Sequence, residues 1–500
     1  MEDIPEIKRP DRMPVSIGVA GYLRDHVFRD RAVYPAVEAM RVLAGSALAR
    51  VPGMEVRFIE NADFARFLEI PPEASSIEAY SEIETSGGAV SAKLITIKKS
   101  GTTSITRAME HVSLTFPGEV PAMPPPPLDD TLGLEGICAA PDPVMIYDEL
   151  VPFGPAYRNI ERLHVSEQGA VALVNGGTDA APDGPLGSPF PLDASFHAAC
   201  VWGQRYAGIV GFPVHIDGRV IRKKTAPGET YASRITPVSA AGGLLVFNIM
   251  IYDMDGGLCE KTHGLHMKDV SGGAIQPPEW IRAAGPDPLA RIRDRCRDLC
   301  VVELDSLTAP CTGILSDAER ARFGSMRAKR ARTFLGARMA LKKLARRLPG
   351  AGPGIAPGEL TTMHEDGRPR CPLPDGSEPY RCTASHDSRF AVAALSEGRI
   401  GIDVEALSGR VMNGRSLYMH EEELALVREH SIGEMEASAR VWSVKEAVSK
   451  ALGIHLAGAW EKTMVTEVGD KQSLFQIDGI SQTAFHAVVD GHLFTLVIMP

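Results

Sequence analysis

The stretch Trp442-Ser443-Val444-Lys445-Glu446-Ala447-Val448-Ser449-Lys450, read with Gly401-Ile402-Asp403-Val404-Glu405 upstream, decides how the C-terminal half of this chain folds and what it handles. Alternate side chains of a strand share a face, so Asp403 and Glu405 point the same way. On a helix, Trp442, Lys445, Glu446 and Ser449 fall at i, i+3, i+4 and i+7 and form one stripe, with Lys450 at its edge. Either motif alone reads equally well as a solvated strand end or a charged helix face. Together they set three carboxylates, hard ligands suited to Mg²⁺, beside ammonium groups suited to a diphosphate. That is the pattern of a phosphoryl-transfer site.

Upstream stand, in order, Arg332-Thr-Phe-Leu-Gly-Ala-Arg338 in a basic helical segment, then Gly367-Arg368-Pro369, Pro374-Asp375 and Ser385-His386-Asp387. From about Leu304 to the C-terminus this ordered set resembles the 4′-phosphopantetheinyl transferases of the surfactin-synthetase-activating type. The resemblance implies a pseudo-dimeric α+β fold that moves phosphopantetheine from coenzyme A to a serine of an acyl carrier protein, with 3′,5′-ADP leaving. Such a transfer needs positioning and charge neutralisation more than covalent help. On this reading Asp403, Glu405 and Glu446 hold Mg²⁺, directly or through water. Lys445 and Lys450 meet phosphate oxygens, Lys450 nearer the transferred group. The resemblance gives His386 a hydrogen bond to the diphosphate. Arg332, Arg368 and Arg322 take the adenosine end, where a planar guanidinium matches phosphate. Glu422 is the candidate base for the serine proton by its spacing to Glu446. Its neighbours Glu421 and Glu423 compete for that alignment, and a water on the metal is the alternative. The sequence departs from the family after Lys450: many members carry Lys-Gly and an apolar pair, whereas here Gly453 precedes Ile454-His455-Leu456, which bears on carrier preference.

One such transferase does not fill the chain. At 500 residues the length suggests about three core units. With 44% hydrophobic and 23% charged residues a sizeable core is available. The net charge of −10, without a basic tail, argues against nucleic-acid binding. Eight cysteines lack CxxC pairs, and Cys296 and Cys300 have no histidine nearby to complete a zinc set, so reduced thiols are expected. The N-terminus has no basic and apolar signal-peptide pattern, and no apolar run is long enough to span a bilayer. The expectation is a cytoplasmic protein without membrane contact.

Composition shifts mark the boundaries. The Pro-rich segment 119–142 reads as a stiff linker and the Gly- and Pro-rich segment 271–290 as a second one. They divide the chain into residues 12–270, in halves 12–118 and 143–270, and residues 291–500. Each front half reads as a polar entry, one helix, then strands. Pro35-Ala-Val-Glu-Ala-Met-Arg-Val-Leu-Ala is the first helix, followed by runs at Met54–Ile59, Ser91–Ile97 and His111–Phe116. Leu192–Trp202 is the second helix, followed by Tyr231–Ile235, Leu244–Tyr252 and Glu260–Lys268, with a hairpin turn at Asp253–Gly257. One helix wrapped by an antiparallel sheet, twice, is the double hot-dog plan, so the chain is α+β throughout.

Three motifs tie this half to a family. His26-Val-Phe-Arg-Asp30-Arg-Ala-Val-Tyr-Pro35, Phe153-Gly154-Pro155-Ala156-Tyr157 and Asp193-Ala-Ser-Phe-His197 resemble the HxxxGxxxxP, YGPxF and DxxxQ/H signatures of polyketide-synthase dehydratase domains. A dehydratase followed directly by a phosphopantetheinyl transferase is similar to the C-terminal end of enediyne-type iterative polyketide synthases. Dehydrating a 3-hydroxyacyl thioester needs a base at the α-carbon and an acid at the β-hydroxyl. His26 suits the first task and a protonated Asp193 the second, with His197 orienting the carboxyl from i+4. Backbone N–H groups near Gly154 or after Pro35 are candidates to polarise the thioester carbonyl. Asp30 replaces the signature glycine, adding bulk and charge beside the expected tunnel, and Phe153 replaces the tyrosine. A catalytically silent hot-dog that docks carrier protein is the alternative for this half. His164, His215, His263 and His266 read as strand or surface residues without named partners. The partners implied are coenzyme A, an acyl carrier protein and polyketide-synthase components.

Overall fold

A computed structural model describes residues 11–99, 106–119, 133–178, 184–283, 285–307, 311–351 and 355–500. They fall into two units, Met1–Pro125 with Ala139–Ala283, and Pro126–Cys138 with Ala284–Pro500. The proline run near residue 125 lies outside the described residues. Beyond it the supposed spacer is structural: Gly136 N–H bonds Val301 O at 2.8 Å and Cys138 N–H bonds Glu303 Oε2 at 2.8 Å, so this stretch runs along a strand of the second unit.

The first unit is built on one antiparallel sheet. In chain order its strands are β1 (Asp11–Gly18), β2 (Phe58–Phe64), β3 (Ser76–Ser86), β4 (Ala89–Lys99), β5 (Thr106–Phe116), β6 (Ile160–Ser166), β7 (Gly169–Asn175), β8 (Phe212–Ile221), β9 (Thr230–Ala241), β10 (Leu244–Asp253) and β11 (Leu258–Lys268). Their spatial order is β1-β3-β4-β5-β2-β8-β11-β10-β9-β7-β6. The first half of the sheet packs on helix α1 (Ala36–Arg50), which buries Val37, Met40, Leu43, Ala44 and Ala47 at helical spacing. The second packs on α2 (Phe190–Trp202), buried at every position. Its polar residues, Asp193, Ser195 and His197, all face the interior, so α2 has no solvent side and lies inside its strands. The halves join where β2 pairs with β8, His215 opposite Asp63 and Ile216 opposite Ala62. This is the double hot-dog arrangement read from the sequence.

The expected polar entry of the first half is instead β1, paired residue by residue with β3 from Asp11↔Ile83 to Gly18↔Ser76. Its alternation is diluted by Arg12, Pro14 and Ser16 on the outer face. The Asp253 turn is as expected: Asp253 Oδ1 accepts from Gly257 N–H at 2.7 Å, and Gly256 takes φ +86°, a conformation that costs glycine no Cβ clash.

The second unit holds two sheets, each with its own long helix. Strands β12 (Asp298–Glu303), β13 (Arg381–His386) and β14 (Phe390–Ser396) stand in the order β12-β14-β13. Strands β15 (Arg399–Ala406), β16 (Thr463–Glu467), β17 (Gln472–Ile477), β18 (Ile480–Val489) and β19 (His492–Met499) stand in the order β15-β19-β18-β17-β16. The short helix α3 (Asp317–Gly324) precedes α4 (Ala328–Arg347), which covers the first sheet. After α5 (Glu421–Arg428), α6 (Glu434–Leu452) covers the second. The two-fold repetition of sheet plus helix is the pseudo-dimeric plan. A fully buried ion pair, Lys342 Nζ to Glu319 Oε2 at 2.7 Å, ties α3 to α4. Glu319 also accepts from Thr362 N–H and Oγ1, so its lone pairs are satisfied, as burying a charge requires.

Candidate active sites

In the first unit the chain leaves a short turn (Gly21–Asp25) and enters a tiny hairpin, Val27–Phe28 against Arg31–Ala32, with His26 at its mouth. The two turn residues, Arg29 and Asp30, take φ +49° and +60°, the paired positive values that a two-residue hairpin turn demands. Asp30 therefore serves where the signature has glycine. Its side chain is exposed in the turn and does not line the cavity, so the bulk expected beside the tunnel is absent there.

The His26 Nδ1 stands 2.9 Å from Val33 O; donating its proton there leaves Nε2 with a lone pair to accept one. The ring stacks on Phe153 at 4.4 Å and meets Tyr157 edge-on at 5.1 Å. Desolvation pushes its pKa below the usual value, against the opposing pull of Asp193, so His26 is neutral and basic in function near neutral pH. Asp193 is buried in the first turn of α2. One turn on, His197 Nε2 lies 3.0 Å from Asp193 Oδ2. The two atoms are close but misaligned, and neither completes a hydrogen bond. On its other side His197 Nδ1 is 3.3 Å from the Tyr147 hydroxyl, which already accepts from Ile160 N–H, so Tyr147 donates to the ring and turns Nε2–H toward the carboxylate.

His26, Asp193, His197 and Phe153 line one cavity of about 410 Å³, walled by Val33, Leu94, Val112, Phe196 and Met267. Of the two carbonyl-polarising candidates, the Gly154 end is committed elsewhere. Its N–H bonds Asp25 O at 2.7 Å, and the next turn's Ala156 N–H bonds Asp25 Oδ2 at 2.9 Å. The start of α1 after Pro35 remains, and Ala36 lines the cavity. The sequence reading also missed Tyr157. Motif position 153 lost a hydroxyl, but position 157 carries one, fully buried in the same aromatic cluster and without a hydrogen-bond partner. Reading Phe153 and Tyr157 as an exchange within one motif was the available signal.

In the second unit, β13 and β15 face one another at the meeting edges of the two sheets, where Ile402 N–H donates to Thr383 Oγ1 at 3.3 Å instead of to a backbone carbonyl. A polar cleft of about 660 Å³ opens there, lined by Arg368, Arg381, Thr383, Arg399, Lys450 and Ile454. Arg368 rides a tight turn at Gly367 (φ +87°), against which the Arg322 guanidinium packs. Lys450 Nζ, at the inner end, donates to Asp403 Oδ1 (2.8 Å), Ser385 Oγ (2.8 Å) and Ile402 O (3.1 Å), with Glu446 Oε2 at 4.0 Å.

Asp403 is buried and well satisfied, since Ser443 Oγ donates to its Oδ2 at 2.8 Å. Glu405 and Glu446 carry the unbalanced charge. Desolvation first, then repulsion from Asp403, raises the Glu405 pKa to about 7. Desolvation also raises that of Glu446, with Lys450 opposing and Asp403 adding. With Asp403 contributing to the raised pKa of both Glu405 and Glu446, the three carboxylates suit a hard divalent cation, which would relieve their repulsion. As a set, however, their oxygens do not all lie within 4.8 Å of one another, and Asp403 is paired with Lys450.

Two other expected phosphate ligands are placed differently. Lys445 is fully buried and spends its ammonium on Glu423 Oε2 (2.7 Å), Tyr418 O (2.7 Å) and Trp460 O (3.4 Å). It points off the helix away from the cleft: the stripe that sequence spacing drew through Lys445 and Glu446 is split between core and site. Of the three consecutive glutamates, Glu423 is this core anchor and Glu422 is exposed on the first turn of α5. Arg332 is drawn to Leu304 O and Asp305, an exposed pair of little energetic weight. Desolvation first, then the Lys450 charge, lowers the pKa of His386, and Arg330, exposed on the same helix as Arg332, adds a little to it.

The fold and these two sites define a chain with a hot-dog dehydratase-type unit and a transferase-type α+β unit. Comparison with known proteins agrees with both. Residues 145–277 match the polyketide synthase dehydratase N-terminal domain, and residues 399–497 match the 4′-phosphopantetheinyl transferase superfamily. The chain thus carries a polyketide-synthase-type dehydratase domain and a C-terminal 4′-phosphopantetheinyl transferase domain. A curated relative, one of the polyunsaturated fatty acid synthase subunits of Thraustochytrium sp., is 28% identical over 221 residues. The match covers 42% of this chain but spans only 8% of that protein's length. Similar solved structures include an N-terminal dehydratase from the difficidin assembly line (14% identical, TM-score 0.42, covering 52% of this chain and 93% of that one). Another is the dehydratase domain of RzxB from Pseudomonas fluorescens (14%, TM-score 0.42, 52% and 94%). No helix among the described residues is long and apolar enough to cross a membrane.

Proposed function

We propose that the chain is a bifunctional cytoplasmic enzyme of carrier-protein-dependent polyketide or fatty-acid synthesis, working beside polyketide-synthase partners. The observation that carries the reading is the shared cavity of His26 and Asp193, an imidazole and a carboxyl facing one apolar space sized for an acyl chain. A 3-hydroxyacyl thioester enters it with its carbonyl at the start of α1. His26 Nε2 takes the α-proton, Asp193 gives a proton to the β-hydroxyl, water leaves, and the enoyl thioester forms. The proton on His26 then returns to Asp193 through solvent or the departing water. His197, itself held by Tyr147 and with Nε2 3.0 Å from Asp193 Oδ2, would orient the carboxyl.

In the second unit the polar cleft takes coenzyme A, with Arg368 and Arg322 toward the adenosine phosphates and Lys450 and His386 toward the diphosphate. Asp403, Glu405 and Glu446 would hold Mg²⁺, which supplies charge neutralisation to the phosphates when bound. The carrier serine oxygen bonds to the phosphorus nearest pantetheine, the bond from that phosphorus to the bridging oxygen breaks, and 3′,5′-ADP departs. Glu422, exposed on the first turn of α5, is the candidate to receive the serine proton. Mass spectrometry of an apo carrier protein incubated with coenzyme A, Mg²⁺ and the chain tests this half, and enoyl formation on a 3-hydroxyacyl carrier tests the other. A chain that modifies the carrier but dehydrates no tested acyl chain would leave the hot-dog unit as a docking module.

A further inference from the structure

We propose that His215, Asp217 and His266 form a zinc site on the outer face of the hot-dog sheet, a site separate from both active centres. The strand geometry builds it. His215 and Asp217 are two apart on β8 and share its outer face, while Ile216 between them points to the core. His266 on β11 is directly opposite His215. Both Nε2 atoms converge on the same carboxylate oxygen, His215 at 3.1 Å and His266 at 3.2 Å from Asp217 Oδ1. The ligand atoms all lie within 4.8 Å of one another, the one such trio among the described residues.

These separations are those of a coordination shell. Zinc bonds of about 2.0–2.1 Å at tetrahedral angles set neighbouring ligand atoms about 3.3 Å apart. Two imidazoles and one carboxylate suit zinc, with water in the fourth position. An outer partner is in place as well: Asp63 on β2, opposite His215 on its other side, holds His215 Nδ1 at 2.7 Å. That bond puts the ring proton on Nδ1 and bares Nε2 for a metal, the carboxylate–histidine–metal arrangement. The backbone makes room too. Gly264 (φ +60°) lies beneath the Asp217 carboxylate, and a Cβ there would fall 1.8 Å from Oδ2. The three side chains are only partly buried, so an ion can enter. Bound zinc would clamp β2, β8 and β11 across the seam where the two hot-dog halves join.

The test uses the full chain carrying Asp403→Asn, so that the transferase acids do not enter the count, loaded with Zn²⁺, dialysed and assayed for metal. One zinc per chain is expected, lost in Asp217→Asn and in His266→Ala, with dehydration unchanged. Zinc should raise the melting temperature on the order of 5 °C in the parent and not in these variants. Asp63→Asn should retain the site with about 10–100-fold weaker affinity. Co²⁺ in place of zinc should give the strong visible absorption of four-coordinate cobalt. Equal zinc in parent and variants, or a parent without that absorption, overturns the proposal and leaves two histidines hydrogen-bonded to an aspartate.

Discussion

The two candidate sites achieve reactive groups by opposite means. In the hot-dog unit, His26 and Asp193 are walled by aromatic and aliphatic side chains, and desolvation sets the proton affinity of the histidine. In the transferase unit the acids gather around Lys450, which lines a polar cleft, and charge contributes alongside burial: Asp403 adds to the raised pKa of both Glu405 and Glu446, and Lys450 opposes the rise of Glu446. A closed site fixes its chemistry through shape, so it tolerates a change of signature glycine to Asp30 out in a turn. An open site depends on which charges face which, so one lysine can matter while its neighbour along the same helix does not.

The largest effects should come from removing a proton donor in the closed site. Asp193→Asn should lower dehydration about 10²–10⁴-fold, read as enoyl formation, while leaving phosphopantetheine transfer intact. Equal damage to both activities would mean the sites are not independent.

The lysines sharpen the contrast within the open site. Lys450→Ala should cut transfer strongly with a smaller loss of stability, since Lys450 is partly exposed, whereas Lys445→Met should leave Glu423 buried without its cation and destabilise the unit by roughly 3–5 kcal/mol, seen in denaturant unfolding. If Lys445→Met were stable and merely raised the KM for coenzyme A, its placement in the core would be wrong.

Smaller effects follow from pH. His26 has its pKa depressed, so dehydration should stay flat as pH falls to the ordinary histidine value of about 6.5 and decline only below it. The sign for stability agrees: the neutral buried ring favours the fold above its unfolded pKa and loses that advantage as pH drops through the folded one. Glu405 is the opposite case. Its raised pKa favours the folded state at low pH, and that contribution is lost as pH rises through about 7. Mg²⁺ should therefore raise the melting temperature more at about pH 8 than at about pH 6, because a proton no longer competes for the carboxylate.

What the sequence made legible follows the same division. The hot-dog motifs marked His26, Asp193 and His197 because each motif is local and the fold carries it whole. The exchanged Phe153 and Tyr157 were visible too, as a swap within five residues. The metal trio was not, because His215, Asp217 and His266 come together through strand register, and register is set by burial on both sides of the sheet. In the transferase half, i+3 and i+4 spacing placed Lys445 and Glu446 on one stripe, but adjacent residues lie about 100° apart on a helix. That angle is enough to put one in the core against Glu423 and the other beside Lys450 and Asp403. The run of three glutamates could not say which one turns inward.

The most direct measurement is intact mass spectrometry of an apo acyl carrier protein incubated with coenzyme A, Mg²⁺ and either the parent chain or Asp403→Asn. The account predicts a gain of one phosphopantetheine with the parent, none on chelating the metal, and a gain at least a hundredfold slower with the variant. An unmodified carrier with the parent, or equal modification by parent and variant, would contradict it.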